Sequence, residues 1–313
     1  MFNLLEKLKK NKNIVLLFLG LIVACICIYY ISVSFQWKEI WAVLKQANLP
    51  IFFIGATVSL ILYWLARCLR WYVLLRDENK SVPFFKLYLY TAITVSFSTI
   101  TPFQAGEALK VELLKKHNAT RISGYTNFAI ERLLDLITIL AFALFGLSSE
   151  IKSQLTNYIY FIVFGLAVFG GILLAVIFLF PSNYFDKIRQ ILRERIKPFV
   201  LIQVAFLTFI SWGLTAWGWH LALQSIGIYL DFHQIAFLLS LTALAGILSF
   251  VPGAVGVSEI SISQILLNIG YQTNLAQTGA LAIRGYALMI IILGLIHLII
   301  LKFSERKTII TDK

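Results

Sequence analysis

Charged residues are scarce in this sequence, and their scarcity excludes an ordinary water-soluble domain. Of 313 residues, 13% are charged and 59% are apolar, whereas soluble domains carry about 25% charged and 45–50% apolar residues. Apolar stretches of the length that crosses a bilayer core of about 30 Å recur along the whole chain. No segment between them is long or polar enough to fold as a soluble domain. The composition therefore predicts one integral membrane domain.

Groups that carry out chemistry are also few. The three cysteines, Cys25, Cys27 and Cys68, lie in apolar segments without metal-binding or disulfide spacing, so we interpret them as packing residues. The sequence has no phosphate-binding P-loop, no nucleophile elbow and no zinc-protease motif. We therefore expect neither an enzyme nor a bound cofactor or metal.

The basic residues report the topology. The net charge is +12, but the Lys and Arg residues form short clusters between apolar segments. This pattern is typical of the positive-inside rule and not of a nucleic-acid-binding surface. The hydropathy predicts six crossings, at 14–33, 50–75, 125–147, 158–180, 200–226 and 280–301. A basic amphipathic linker at 183–197 is expected to lie on an anionic membrane surface.

Two further apolar segments, 84–103 and 232–250, lead into breaks that contain proline and glycine, at 101–107 and 251–259. We interpret them as the first arms of re-entrant hairpins. If 84–103 crossed fully, four basic residues would face the outside, against the positive-inside rule: Lys110, Lys115, Lys116 and Arg121. The resulting prediction is an all-α polytopic protein of the cell membrane, with both termini in the cytoplasm.

The order of the sequence features occurs twice. A crossing, a broken hairpin and a crossing with an intramembrane Arg appear in 14–147 and again in 158–301. The paired features are Pro102 and Pro252, Gly106 and Gly256, Glu107 and Glu259, and Arg132 and Arg284, with Gly253 as an additional breaker. An odd number of crossings separates equivalent helices, so the repeats are predicted to be inverted. Inverted repeats with discontinuous helices are typical of transporters, although an old duplication kept for folding is the alternative.

The intramembrane arginines are candidates for binding a phosphate or carboxylate, since a guanidinium offers two parallel donors. For Arg132, a structural ion pair with Asp135 three residues later is an equal alternative. Arg284 has no acid nearby in sequence, so we favour a functional role or a partner such as Glu107 or Glu259.

The remaining polar candidates stay open between roles. Glu107 and Glu259 could couple transport to protons, neutralise the arginines or cap the returning helices. For Arg67 and Arg70, snorkelling to headgroups is favoured over headgroup binding. The predicted substrate-binding set consists of Arg70, Gln104, Glu107, Arg132, Asp135, Glu259 and Arg284.

Four motifs in this order resemble the transmembrane region of the lysylphosphatidylglycerol synthases and their standalone flippase-like relatives. The motifs are Arg67-Cys68-Leu69-Arg70-Trp71, Pro102-Phe103-Gln104-Ala105-Gly106-Glu107, Glu131-Arg132-Leu133-Leu134-Asp135 and 251–259. The resemblance implies a lipid-flipping domain, and the aminoacyl-transferase domain of the synthases has no counterpart in this sequence. We therefore expect transbilayer transport of an anionic phospholipid or polyprenyl-linked lipid. The alternative is an accessory protein or transferase of lipid or lipid-linked glycan modification, as a homodimer or with a partner enzyme.

Overall fold

The computed structural model describes residues 20–75, 82–101, 106–115, 121–147, 197–249 and 251–311. Within these ranges the protein is entirely helical, which confirms the all-α prediction. The helices are α1 Gly20–Ser34, α2 Trp37–Lys45, α3 Leu49–Leu74, α4 Phe84–Ser98, α5 Leu109–Lys115, α6 Arg121–Leu147, α7 Pro198–Gln224, α8 Phe232–Ser249, α9 Val257–Ile269 and α10 Thr273–Thr311. The predicted fourth crossing, 158–180, and the linker, 183–197, fall outside the described residues apart from position 197.

Among the described residues, four helices are long and apolar enough to cross a membrane: α3, α7, α8 and α10 over Thr273–Ser304. The pair α1 and α2, bent by 80° between them, is a fifth candidate. Helix α6 has a similar length but carries three charged residues near its middle, at 131, 132 and 135. Helix α8, expected as a hairpin arm, also has the length and composition of a full span. These features establish a multi-pass α-helical membrane protein.

Proline, asparagine and glycine mark the helix ends. Asn48 caps α3 by accepting a hydrogen bond from the Ile51 N–H at 3.2 Å, and Pro50 occupies the first turn. Pro198 begins α7. Gly270 ends α9 in the left-handed conformation, with φ at 110°. The ends of these helices therefore follow local sequence signals.

The helix contacts have an internal two-fold pattern. If α3 to α6 are exchanged with α7 to α10, the contacts exchange as well: α3–α4 with α7–α8, α4–α5 with α8–α9, and α5–α6 with α9–α10. Across the halves, α4 packs on α10 as α8 packs on α6, and α3 packs on α7 at the centre. This pattern is what a duplicated chain with two related halves produces.

Small and hydroxylated residues allow close helix crossings. Ser96 of α4 packs directly on Gly294 of α10 and donates a hydrogen bond to the Ile290 carbonyl oxygen at 2.9 Å. Ser59 of α3 lies 3.1 Å from the Tyr286 hydroxyl, beside Gly218 of α7. Membrane helices lack a hydrophobic driving force for association, so such crossings supply van der Waals contact and interhelical hydrogen bonds instead.

The two breaks contact each other. A Cβ atom on Gly253 would lie 2.9 Å from the Thr99 carbonyl oxygen and 3.8 Å from the Ile100 Cα. Gly106 lies against the backbone of Ser98 at the end of α4, which closes the first hairpin. Irregular backbone at membrane depth is tolerated where it is buried in protein or lines a polar cavity. The space beside the two breaks is therefore the candidate position for a binding site.

Candidate functional site

A cluster of ion pairs joins α3 to α6. Arg70 is fully buried, and its Nε lies 2.6 Å from Glu131 Oε1 while its Nη1 lies 2.7 Å from Asp135 Oδ1. The same Nη1 donates to Thr208 Oγ1 of α7 at 2.9 Å. The indole N–H of Trp71 donates to the other Glu131 oxygen. Buried charges need this density of partners, because desolvation alone costs several kcal/mol per ion.

Glu107 connects the first break to this cluster. Its Oε2 lies 2.7 Å from Arg67 Nη2 and 2.9 Å from Arg132 Nη2. Arg132 also pairs with Asp135 at 2.8 Å, which is the i,i+3 pair that the sequence offered as an alternative. The three arginines and three carboxylates form one network, which we call the first-half cluster: Arg67, Arg70, Glu107, Glu131, Arg132 and Asp135.

The snorkelling prediction for Arg67 and Arg70 is wrong. Arg67 is 3% exposed and Arg70 is 0% exposed. Both guanidinium groups point into the first-half cluster rather than to the membrane surface. The Tyr63 hydroxyl additionally accepts a hydrogen bond from Arg67 Nη1 at 2.7 Å. Their partner acids lie at least 40 residues away in sequence, so the pairing depends on the tertiary fold.

Lys110 and Asn127 lie buried near this cluster and were not expected to matter. The Lys110 ammonium lies 4.6 Å from the ring centroid of Trp71. Among the described residues it has no hydrogen-bond partner, and neither side-chain polar atom of Asn127 has one. Apart from their polarity, the sequence gives no indication of a role for either residue. Lys110 lies in a charged stretch whose composition is typical of a solvated connection.

A simpler arrangement holds the second break. The Nε of Arg284 on α10 pairs with Glu259 Oε1. Its Nη2 donates to Ser258 Oγ at 2.7 Å, and its terminal nitrogens donate to the carbonyl oxygens of Gly253 and Ala254 at 3.2 and 3.4 Å. The partner is Glu259, one of the two acids that the sequence proposed. We call Arg284, Glu259 and Ser258 the second-half triad.

Glu259 fulfils two of its three predicted roles at once. One oxygen faces Arg284, and the other accepts a hydrogen bond from the Gly256 N–H at 2.8 Å, which caps α9. The preceding turn is left-handed: Gly253, Ala254 and Gly256 have φ values of 62°, 49° and 83°. Ala254 is the one non-glycine residue with positive φ among those described. The carbonyls that turn toward Arg284 belong to this left-handed turn.

A cavity of about 230 Å³ lies between the breaks. It is bounded by Ser98, Thr99 and Thr101 from the first break and by Gly253 and Ala254 from the second. Glu107 and Arg284 are the charged residues on its wall within the described part of the chain, and the wall further includes Tyr63, Trp212, Thr215, Trp219, Thr242 and Ser258. The cavity is therefore mainly apolar, with hydroxyls, one cation and one carboxylate. The described residues contain no group of three His, Cys, Asp or Glu side chains that could hold a metal.

The structure distributes the predicted site residues unevenly. Glu107 and Arg284 line the cavity. Arg70, Arg132 and Asp135 lie behind the cavity wall, in the first-half cluster. Glu259 lies behind Arg284. Gln104 and Pro102 lie outside the described residues. Of the predicted breakers, Gly253 lines the cavity, Gly106 closes the first hairpin, and Pro252 and Gly256 flank the left-handed turn. The aromatic lining was not predicted, because α7 is apolar on all sides.

Comparison with known proteins agrees with this architecture. The family model described as the lysylphosphatidylglycerol synthase TM region matches residues 17–294. The chain belongs to this family. The match includes both breaks and both intramembrane arginines, which confirms the resemblance drawn from the four motifs.

A relative in the same family comes from Pyrococcus horikoshii. It is the UPF0104 membrane protein PH1989, which is 25% identical over 256 residues. The aligned region covers 69% of this chain and 76% of that protein. The family and this relative identify the chain as a membrane protein related to the TM region of the synthases. Neither name states an activity for this region itself.

Proposed function

We propose that this protein moves a phosphate-bearing lipid, an anionic phospholipid or a polyprenyl-linked lipid, across the bilayer. The observation that carries the proposal is the cavity between the two breaks, with Arg284 on its wall. Transporters with discontinuous helices bind their substrates where such breaks converge, since freed backbone groups and helix ends are available there. The two-fold pattern of helix contacts supplies two half-folds of the kind that alternating access requires.

Arg284 is placed to exchange its partners for a phosphate. One carboxylate neutralises it, while its terminal nitrogens bind a hydroxyl and two carbonyl oxygens, all of them uncharged. Charge-assisted hydrogen bonds are roughly twice as strong as neutral ones, so a phosphate oxygen would compete well with these acceptors. The guanidinium side chain is also 22% exposed, which makes it accessible from the cavity.

The remaining wall suits a headgroup that carries acyl or prenyl chains. The hydroxyls of Thr99, Thr215 and Thr242 donate to backbone carbonyls of their own helices, so their oxygens can accept hydrogen bonds from glycerol or sugar hydroxyls. Trp212 and Trp219 present apolar rings. A cavity of about 230 Å³ accommodates a small headgroup, and the chains would remain in the surrounding lipid. Binding of the headgroup alone is the arrangement that a lipid flippase or scramblase needs.

Reconstitution into liposomes tests this function. Fluorescent phosphatidylglycerol and phosphatidylcholine, labelled on an acyl chain, report transbilayer movement by protection from a membrane-impermeant quencher. We expect the wild-type protein to move phosphatidylglycerol and Arg284→Gln to slow this movement at least tenfold, as loss of a charge-assisted bidentate contact predicts.

Lys302→Gln is the matched control, since it removes an exposed cation from the same helix away from the cavity. Its rate should equal the wild-type rate. Gel filtration and thermal unfolding in detergent establish that both variants are folded. Wild-type movement of every responsive lipid by Arg284→Gln would remove Arg284 from the site.

A further inference from the structure

Among the described residues of the first half, four cations share three buried carboxylates. Arg67, Arg70, Lys110 and Arg132 face three carboxylates, those of the first-half cluster. Each arginine has at least one carboxylate partner within hydrogen-bond distance, whereas Lys110 has no salt bridge among the described residues. A buried excess charge is costly unless it is neutralised by loss of a proton or by a bound counter-ion. Lys110 is therefore the cation whose charge must be lost or balanced by a counter-ion.

The surroundings of Lys110 make its charge adjustable. The α3 side presents Arg67, Arg70 and Cys68 besides the Trp71 ring. From α6 comes Glu131, and Glu107 lies one turn earlier in the chain. The same apolar layer contains Tyr90 of α4, and α5 itself carries the half-buried Glu112. Burial lowers the pKa of Lys110 to about 8, although Glu131 and Glu107 oppose the shift. Arginine side chains would remain charged at any such pH.

Glu107 connects this lysine to the cavity. Its Oε2 is held by Arg67 and Arg132, while its Oε1 has no hydrogen-bond partner among the described residues and the residue lines the cavity wall. With Lys110 neutral, the three arginines and three carboxylates balance. With Lys110 charged, the network behind the wall carries one net positive charge. The electrostatic potential at the cavity thus depends on a proton that is bound outside it.

We propose that Lys110 is a proton-binding site that regulates the cavity, so that a proton on its amine and an anionic lipid headgroup in the cavity favour each other's binding. The inference rests on the proposed function for its ligand and adds the ion to which that ligand is coupled. One proton taken up with one phosphodiester makes the combined binding step electroneutral. Reciprocity is required thermodynamically: whatever the proton does to lipid affinity, the lipid does to proton affinity.

The expected size of the coupling is about tenfold. A unit charge at roughly 10 Å in a medium of effective dielectric constant of about 20 changes anion affinity by about that factor. Phosphatidylglycerol is the probe, because its phosphodiester stays ionised throughout the pH range of interest. Binding to the purified full-length protein in detergent, measured from pH 6.5 to 9.5, should weaken about tenfold as Lys110 loses its proton.

Two variants separate the charge of Lys110 from its packing. Lys110→Met keeps the length of the side chain without a charge and should bind weakly at every pH. Lys110→Arg keeps the charge and should bind tightly at every pH. Proton uptake from weakly buffered solution, followed with a pH indicator on addition of phosphatidylglycerol at pH 8, should occur in the wild type and vanish in both variants.

The outcomes distinguish this inference from the proposed function. If phosphatidylglycerol binds with the same pH dependence in Lys110→Met as in the wild type, the proton site is refuted while the lipid site stands. If the wild type binds no phosphatidylglycerol at any pH, both are refuted. If Lys110→Arg does not fold, the comparison of Lys110→Met with the wild type decides on its own, since an apolar side chain suits this buried position.

Discussion

The two halves of this protein place an arginine at equivalent positions and surround it differently. Arg132 is bound by two carboxylates, Glu107 and Asp135, and the latter also holds Arg67 and Arg70. Arg284 has one carboxylate partner within the described part of the chain, and its other acceptors there are uncharged. Arg284 lines the cavity and Arg132 does not. The two side chains are about equally exposed, at 22% and 24%, so their partners and their position relative to the cavity distinguish them, and their overall exposure does not.

The difference indicates that the two copies of a duplicated motif can take separate roles. In the first half, shared carboxylates fix the arginines in a network that could lose a partner only at high cost. In the second half, the arginine retains donors that an incoming anion could engage. Under the proposed function, we infer a positioning role for the first-half cluster and headgroup recognition for the second-half triad.

The largest effect is expected from removing Asp135, the carboxylate that three arginines of the first half share. Asp135→Asn leaves Arg70 and Arg132 short of a counter-charge inside the protein. Breaking a buried ion pair costs about 3–5 kcal/mol, so we expect the variant to lose its monodisperse peak in detergent gel filtration or to unfold at a much lower temperature. Glu39→Gln, an exposed acid on α2, is the control and should resemble the wild type. A wild-type unfolding temperature for Asp135→Asn would show that the first half is not held by its charges.

A second prediction concerns the contact between the breaks. Gly253→Ala places a methyl group against the Thr99 carbonyl and forces a left-handed φ on alanine. Gly227 has a similar φ, 83°, and among the described residues no atom outside its immediate neighbours would lie within 4 Å of an added Cβ. The left-handed conformation alone costs about 1–2 kcal/mol, so Gly227→Ala should show that cost only.

Gly253→Ala should therefore lower the unfolding temperature more than Gly227→Ala, and it should also slow lipid movement, since it separates the walls of the cavity. Equal effects of the two substitutions on stability, together with wild-type lipid movement by Gly253→Ala, would mean that the breaks do not form a common site.

The smallest expected change in stability is in the second-half triad. Glu259→Gln removes the charge of a buried acid whose one arginine partner among the described residues is partly exposed, and it keeps an oxygen that can cap α9. The free energy of unfolding should therefore fall by less than in Asp135→Asn, where one carboxylate serves three arginines. Arg284 would then lack its neutralising partner, and phosphatidylglycerol should bind more tightly to the variant. Weaker binding would indicate that Glu259 positions Arg284 rather than competing with the lipid.

Much of the fold could be predicted from hydropathy and breakers alone. The helices at 49–74 and 198–224 begin beside prolines and last as long as their apolar runs, because both signals are local. The pairing of Arg284 with Glu259 was accessible as one of two options, since intramembrane cations need an acid and few were available. The offset between the paired features also identified which segments would be related by the internal symmetry.

The first-half cluster could not be predicted in the same way. Arg67 and Arg70 lie near the end of a crossing, where long basic side chains usually reach the surface. Their true partners, Glu107, Glu131 and Asp135, arrive from a hairpin and a later helix, which only the tertiary structure brings together. The cavity lining from α7 was hidden for a related reason: a helix that is apolar on every side gives no indication of which face meets a ligand.

The most direct test is to image the protein with its proposed ligand. Electron cryomicroscopy in nanodiscs of phosphatidylglycerol should show a headgroup in the cavity, with a phosphate oxygen within hydrogen-bond distance of the Arg284 guanidinium and the first-half ion pairs intact. Headgroup density at Arg132 in place of Glu107, with the second-half triad undisturbed, would reverse the roles assigned to the two halves. A cavity without a headgroup under these conditions would contradict the account of how this protein recognises a lipid.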